Sequence, residues 1–478
     1  MYLSIVNKFP KVSTVLGKLA YASEFYKYLA VTVIVISNLM QFALKPAGFR
    51  QGDSWAYGFS DDRNWDLVSL SGHALRKWPL VLTNTLLADT QLQVFTQVLF
   101  SCFAWIYLVL VIAKFYRTTQ YLVLVVGVLG SLRQIVSWNS IHLSESWSIS
   151  SMVIVIALII STLKEYQRVK MFILGIFLLI ALNTKPSTLL ATLLVMVLFS
   201  LGLILSKKFG VIRKKKVITV GVLTLVLYSS FLNVNQANQN LQNEGSGQSY
   251  AAAQSVAVIT NINPQASTVI NSISNIKELK CLEISDLKSP IELTELMKFK
   301  CHSAENWLTE NFASWYIEFL LRNPAYVLKS LATSLSAGNT PFSMYGGSIS
   351  IIPDSVSELF FGNRNYANRL NQDSAQDIAI QEIQIISPIY IWLILGVFFF
   401  SYLMTGSRKP KSGPQLRFRT AYGLLVFHGI VTMLISGVLI PNEWFRQSIV
   451  GQVEILIGTI LLFAEYQASK SRENNDPN

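Results

Sequence analysis

The chain has 478 residues, 51% of them hydrophobic and only 14% charged, with a mean hydropathy of +0.42. That balance excludes a water-soluble globule of this length and places the chain among membrane proteins. The net charge of +12 does not point to nucleic acid, because the cations sit in short loops between apolar runs, as loops held on the cytosolic side do.

Those loops are Lys114 with Arg117, the clusters at 164–170 and 408–419, and the block at 207–216. Between them recur apolar runs of roughly 17 to 22 residues, each long enough to cross a hydrocarbon core of about 30 Å as a helix. Segments such as "VTVIVISNLM" and "WLILGVFFFSYLM" are continuously apolar, whereas a membrane β-barrel needs short alternating strands. The expected fold is therefore all-α, a polytopic bundle of about ten transmembrane helices with a large extracytoplasmic insertion. Its spans fall near 28–44, 92–113, 120–137, 148–163, 171–183, 187–206, 217–233, 388–404, 420–440 and 448–466. Both termini are then cytosolic. The organisation reads as a membrane domain over 1–233 with an outer loop at 45–91, an extracytoplasmic segment over 234–387, and final spans with a cytosolic tail over 388–478.

Taken in chain order, the first 27 residues carry Lys8, Lys11, Lys18 and Lys27 without a compact apolar stretch before a small-residue site, so no cleaved leader is expected. The outer loop holds "GFRQGDSWAYGFSDDRNWD" and then Leu75, Trp78, Leu82 and Leu86, spaced to lay one apolar face in the membrane interface. Arg133 falls about one turn inside the outer end of its span, and "WNSIHLSESWSIS" opens the next. Asn183-Thr184-Lys185-Pro186 leaves almost no room for a loop, which predicts a tight helical hairpin bent at the outer face. A Gln/Asn/Ser/Ala-rich stretch around "NQANQNLQNEGSGQSYAAAQS" is too poor in large apolar side chains to pack alone. Beyond it, Trp307, Trp315, Phe319 and Val327 mark an amphipathic helix interrupted near Asn323-Pro324. Cys102 lies in an apolar span and reads as packing, while Cys281 and Cys301 flank a polar stretch placed outside the cytosol, where a disulfide can form.

No H-E-x-x-H, Walker loop, G-x-S-x-G or C-x-x-C is present, and the histidines are His73, His142, His302 and His428. What remains is a set of polar residues that the topology brings to the outer face: Asp53, Asp61 and Asp62; Arg133, His142 and Glu145; Lys185; Glu443 and Arg446. A charge at mid-bilayer costs on the order of 3 kcal/mol, so such groups near span ends face a cavity or water. Asp61 and Asp62 read as a solvated turn. Asp53, hemmed by Trp55 and Tyr57, suits general-base work beside a stacked sugar, though the aromatics equally suit an interfacial belt. Glu145 after Ser144 has a complete structural explanation as a helix cap as well as a functional one. Arg133 can snorkel or bind phosphate. Lys185 and Arg446, taken singly, read as loop cations, and His428 as a hydrogen-bonded packing residue.

"GDSWAY", "RKWPLVL", "WNSIHLSESWSIS", "NTKPS" and "PNEWFRQSIVGQ" together resemble the GT-C superfamily of glycosyltransferases, polytopic enzymes that use polyprenyl-phosphate-linked sugars. The resemblance covers the membrane domain in outline and leaves out 234–304. It implies transfer of a sugar from a polyprenyl-phosphate donor to a glycan, lipid or protein acceptor, on the extracytoplasmic face of a plasma membrane. Asp53 matches the catalytic base, with Glu145 the second carboxylate of the site. Arg133, His142, Lys185 and Arg446 would hold the donor phosphate, and Trp55 and Tyr57 would stack on sugar. The family often has two adjacent acids where this chain has Asp53-Ser54, and no metal ligand set is assigned. A divalent cation is the one cofactor this chemistry would admit.

Two other classes share part of this pattern. An O-antigen-type polymerase or ligase also has many spans and a large outer loop with arginines, here Arg322, Arg364 and Arg369, but an acidic first loop of this length argues for a transferase. A transporter of lipid or solute usually carries inverted repeats, and none is evident.

Overall fold

The computed structural model describes residues 10–44, 78–87, 89–116, 120–140, 144–205, 224–233, 275–281, 301–328, 413–439 and 444–475, together with 46, 236, 272 and 273. Among the described residues every regular element is helical. In chain order these are α1 (Pro10–Leu44), α2 (Trp78–Leu86), α3 (Thr90–Phe115), α4 (Tyr121–Ser131), α5 (Arg133–Val136), a 3-10 turn (Ser137–Ser140), α6 (Glu145–Lys164), α7 (Arg168–Thr184), α8 (Pro186–Leu205), α9 (His302–Glu310), α10 (Phe312–Arg322), α11 (Gly413–Leu439) and α12 (Trp444–Asn475). Residues 224–233 are also helical.

Five windows are long and apolar enough to cross a membrane: Glu24–Ala43, Thr90–Phe115, Glu145–Lys164, Phe418–Ser436 and Ile449–Ala468. The chain is a helical membrane protein. The expected spans near 28–44, 92–113, 148–163, 420–440 and 448–466 each fall in one of these helices. The span at 171–183 lies in α7 and that at 187–206 in α8, while that at 388–404 lies outside the described residues.

α6 is the central post. It packs on α3, α7 and α12 and is buried almost continuously from Glu145 to Ser161. Around it α1 lies on α3 and α4, α8 lies on α11, and α11 and α12 form the closest helix pair. That pair meets through glycine. A Cβ on Gly429 would come within 2.5 Å of the Gly451 carbonyl oxygen, and one on Gly451 within 2.5 Å of the Gly429 carbonyl oxygen. In lipid, where hydrophobic association between helices is weak, such backbone contact is a main source of attraction.

The direction of the bundle follows from the contacts at its two ends. At one end Lys114 donates to Glu165 at 2.8 Å, with Lys170 at 3.5 Å from the same carboxylate, and Lys164 lies 3.9 Å from Glu465 and over the Phe418 ring. Tyr116 and Tyr422 share a hydrogen bond there. This lysine end holds the C-termini of α3 and α6 and the N-terminal part of α11. At the opposite, serine end begin α3, α6, α8 and α12.

Two elements depart from the sequence reading. The span expected over 120–137 breaks at Leu132, whose φ of −59° and ψ of 135° are extended, so Arg133 opens a separate one-turn helix instead of lying inside the span. The break leaves α4 eleven residues long, about 16 Å of helix, with α5 and the 3-10 turn continuing toward the serine end. Just before the break Gly130 abuts the Trp105 ring and the Ser131 hydroxyl bonds back to the Gly127 carbonyl at 2.7 Å. Of the helix expected from Leu75 to Leu86, Trp78–Leu86 is present as α2, and Leu75 lies outside the described residues. α2 exposes Leu82 and Leu86, as an interfacial face requires, and turns Leu80 and Asn84 inward where it packs on α7.

A separate small core joins Ile273, Leu279, Ala304, Leu308, Phe312, Tyr316, Phe319 and Tyr326. The expected amphipathic helix is here two helices, α9 and α10, meeting at Asn311, and its interruption at Asn323 is present. Cys281 and Cys301 are joined by a disulfide with Cα atoms 6.0 Å apart, tying the short turn Lys277–Leu279 to the start of α9. Burial pushes the Tyr316 phenol well above its ordinary range, with Tyr326 beside it adding to the effect.

Two predictions follow from the packing. Gly451→Val forces α11 and α12 apart and is expected to destabilise the protein by about 1–3 kcal/mol, read as a lowered thermal midpoint in detergent. The Lys114 ammonium, with Lys170 behind it, holds the exposed Glu165 carboxyl below its usual value. A depressed folded pKa gives stability that is present above the unfolded value and lost as pH falls through the folded one. Wild type and Glu165→Gln should therefore differ in thermal midpoint at neutral pH and converge in acid.

Candidate functional site at the serine end

The first turns of α6 are unusual for a buried helix: Ser144, Glu145, Ser146, Ser148, Ser150 and Ser151 are all buried. Two of these hydroxyls are satisfied by carbonyls one turn back. Ser148 donates to the Ser144 carbonyl at 2.8 Å and Ser151 to the Trp147 carbonyl at 2.6 Å. Ser146 reaches outward and donates to Asn139 Oδ1 at 2.6 Å, whose amide donates to Asn38 Oδ1 at 2.7 Å, while Gln41 donates to Ser140 at 3.0 Å. This chain of polar side chains pins the 3-10 turn between α6 and α1.

On the other side of α6, helices α7 and α8 are joined by a single residue, Lys185. The expected hairpin bend is thus present, and Pro186 suits the first position of α8 because it has no N–H to leave unpaired. Lys185 is buried, and its Nζ lies 2.5 Å from Glu145 Oε1, with side-chain exposures of 1% and 0%. Asn183 donates to Ser230, and Asn233 donates to Asn183, at 3.1 and 2.6 Å, fastening the helical stretch 224–233 beside the pair.

These contacts correct two sequence readings. Lys185 is not a loop cation, since a single-residue turn between two packed helices has no route to solvent for its side chain. Capping does not account for Glu145 either: Ser144 makes no side-chain cap bond, and the Glu145 carboxylate engages Lys185. A fully buried pair gains little over apolar packing, but losing one partner strands a charge and is severe.

The pair has further polar company. The hydroxyls of Ser144, Ser187 and Thr188 and the indole N–H groups of Trp138 and Trp147 are buried without a hydrogen-bond partner among the described residues. Trp147 packs against Phe100 with ring centroids 4.9 Å apart, and Gln97, one turn from Phe100 on α3, has both amide atoms buried and unpartnered. Such unmet hydrogen-bonding capacity calls for water or a ligand. Arg133 opens α5 and Arg446 lies in the first turn of α12, so both backbones stand at this same end. Asp53, Trp55, Tyr57, Asp61, Asp62, His142 and Glu443 lie outside the described residues.

Sequence reasoning missed the role of Glu454. It lies inside the apolar window Ile449–Ala468 of α12 and bonds His428, and an acid inside a span was the available signal. Arg322 is paired with Glu318 in its own helix, while Arg364 and Arg369 lie outside the described residues. Among the described residues no group of His, Cys, Asp and Glu is placed to hold a metal ion. No family model, curated protein or solved structure matches the chain.

The buried pair sets a double-mutant test. Lys185→Met alone is expected to cost about 3–5 kcal/mol by stranding Glu145. Combining it with Glu145→Gln should recover much of the loss in thermal denaturation, whereas additive losses would contradict the coupling.

Proposed function

We propose that this chain is a GT-C-type membrane glycosyltransferase, moving a sugar from a polyprenyl-phosphate donor to a glycan, lipid or protein acceptor with inversion. The observation that carries the reading is the buried Glu145–Lys185 pair at the serine end, a charge arrangement that apolar packing does not need. The serine end is then the extracytoplasmic face, and the lysine end meets the cytosol in accord with the positive-inside bias. The Cys281–Cys301 disulfide supports the same orientation, since such bonds persist in oxidising compartments.

The chemistry requires an anion site beside the bilayer. Helices α3, α6, α8 and α12 begin at the serine end, and helix N-termini favour anions. Arg133 and Arg446 add positive charge at that end, which suits a lipid phosphate, and the Lys185 ammonium stands there balanced by Glu145. Glu145 holds the Lys185 ammonium in one place, and His142, three residues before Glu145, completes the donor-binding set. Asp53 takes the proton of the acceptor hydroxyl as that oxygen attacks the anomeric carbon; the bond from that carbon to the phosphate oxygen breaks, and its electron pair leaves with the phosphate. Trp55 and Tyr57 stack on the sugar. A divalent cation would neutralise the same phosphate if the enzyme uses one.

Purified full-length protein supplied with polyprenyl-phosphate sugars tests this reading. Asp53→Asn is expected to lower transfer by about 10²–10⁴-fold while leaving thermal stability unchanged. Full transfer by that folded variant would remove Asp53 as the base. A deletion strain should lose one sugar from its surface glycans, whereas shortened polymer chains would favour a polymerase.

A further inference from the structure

His428 lies near the middle of the membrane-length window Phe418–Ser436, and Glu454 lies inside the window Ile449–Ala468. Their side chains are 12% and 0% exposed, with Nδ1 and Oε2 2.7 Å apart. Ionisable groups at such depth are costly and mark functional sites. On the far side of the ring, Nε2 lies 2.9 Å from Thr192 Oγ1. The Thr192 hydroxyl donates to the Thr188 carbonyl at 2.7 Å.

The hydrogen count follows from these bonds. Thr192 has one hydroxyl hydrogen, and a carbonyl can only accept, so that hydrogen points at Thr188. Thr192 Oγ1 must then accept, and Nε2 must carry a hydrogen. The short contact at Nδ1 needs a second hydrogen, carried either by the ring, giving imidazolium and carboxylate, or by the acid, giving imidazole and carboxyl. Both arrangements hold the same two protons and are neutral overall, which is the charge state a membrane interior favours. One proton lies between Nδ1 and Oε2 in either arrangement, while the remaining oxygen of Glu454, Oε1, is buried without a partner among the described residues, as is the Thr432 hydroxyl one turn from His428.

A polar track leads from this dyad to the serine end. Thr192, Thr188 and Ser187 follow Lys185 on α8, spanning roughly 10 Å of helix. The Thr188 and Ser187 hydroxyls are buried without a partner among the described residues, placed to carry hydrogen bonds to intervening water. The other described charged and titratable groups of α11, α12 and the elements packed on them stand at the ends instead: Glu145 and Lys185 at the serine end, Lys164, Arg419, Glu465, Tyr116, Tyr121, Tyr422 and Tyr466 at the lysine end. The described side chains of α8 offer only hydroxyls and apolar groups.

We propose that His428 and Glu454 form a proton-binding site within the membrane bundle, loaded with one exchangeable proton that arrives from the serine end along Ser187, Thr188 and Thr192. The site stands whether or not the chain transfers sugar. The ligand is the proton itself, and no redox or covalent step is involved.

Full-length protein in lipid nanodiscs provides the test, with proton release counted by an indicator dye after a pH jump and carboxyl protonation followed by infrared difference spectroscopy. Wild type is expected to release one proton more than Glu454→Gln or His428→Asn, and the double variant should lose no more than either alone. Thr192→Val should keep the count but shift the midpoint, and Thr192→Ser should restore it. Thr188→Val with Ser187→Ala should slow release several-fold. An undiminished count in folded Glu454→Gln, or losses that add in the double variant, would overturn the site. Should both dyad variants fail to fold, the Thr192→Val protein decides, and an unmoved midpoint there refutes the proposal.

Discussion

Opposite charges carried 40 residues apart, on Glu145 and Lys185, meet with almost no solvent exposure, and the serine end of the bundle is organised around that meeting. An unpaired charge there would cost several kcal/mol, so α6 and the α7–α8 hairpin are bound to one another in a single register. The hydrogen-bonded asparagines on either side extend the constraint, Asn139 and Asn38 toward α1 and Asn183 toward 224–233. Apolar contacts between helices tolerate sliding; a buried ion pair flanked by amides does not. That difference lets a membrane protein hold polar groups in fixed positions at the edge of lipid.

The two ends of the bundle use charge differently. At the lysine end Glu165 is exposed and serves two lysines, an arrangement screened by solvent and worth little individually. At the serine end charge is enclosed and scarce, so each group's protonation and partner matter. Between them the glycine contact of α11 and α12 brings Glu454 beside His428, placing an acid–base pair where the surrounding helices supply only hydroxyls. The close crossing and the dyad are thus one feature, since wider helix separation would carry the carboxylate out of reach of the ring.

Much of the helical layout was legible in the sequence, because continuous apolar runs and basic loops report on the bilayer directly. The one-residue turn at Lys185 was readable from Asn-Thr-Lys-Pro, where proline forbids continuation of the preceding helix. The break at Leu132 was not, because neither Gly130 nor Ser131 before it disturbs the hydropathy of the run. Glu145 and Lys185 were both visible as polar residues near span ends, yet their pairing is a tertiary fact: each alone has a sufficient local explanation. His428 was expected to be hydrogen-bonded, and it is, but its partners come from helices distant in sequence. Glu454 escaped notice because one acid barely lowers the hydropathy of a long helix.

The joint at Lys185 also limits how the bundle can move. One residue contributes only two soft backbone torsions, so α7 and α8 cannot shear past one another and must swing as a stiff two-pronged fork. Thr192 rides on one prong and the Lys185 ammonium sits at the fork's tip. Any sideways opening that let a lipid chain slip between helices would tug on the imidazole and the carboxylate in the same stroke, making the hairpin a mechanical linkage between the depth of the membrane and its rim.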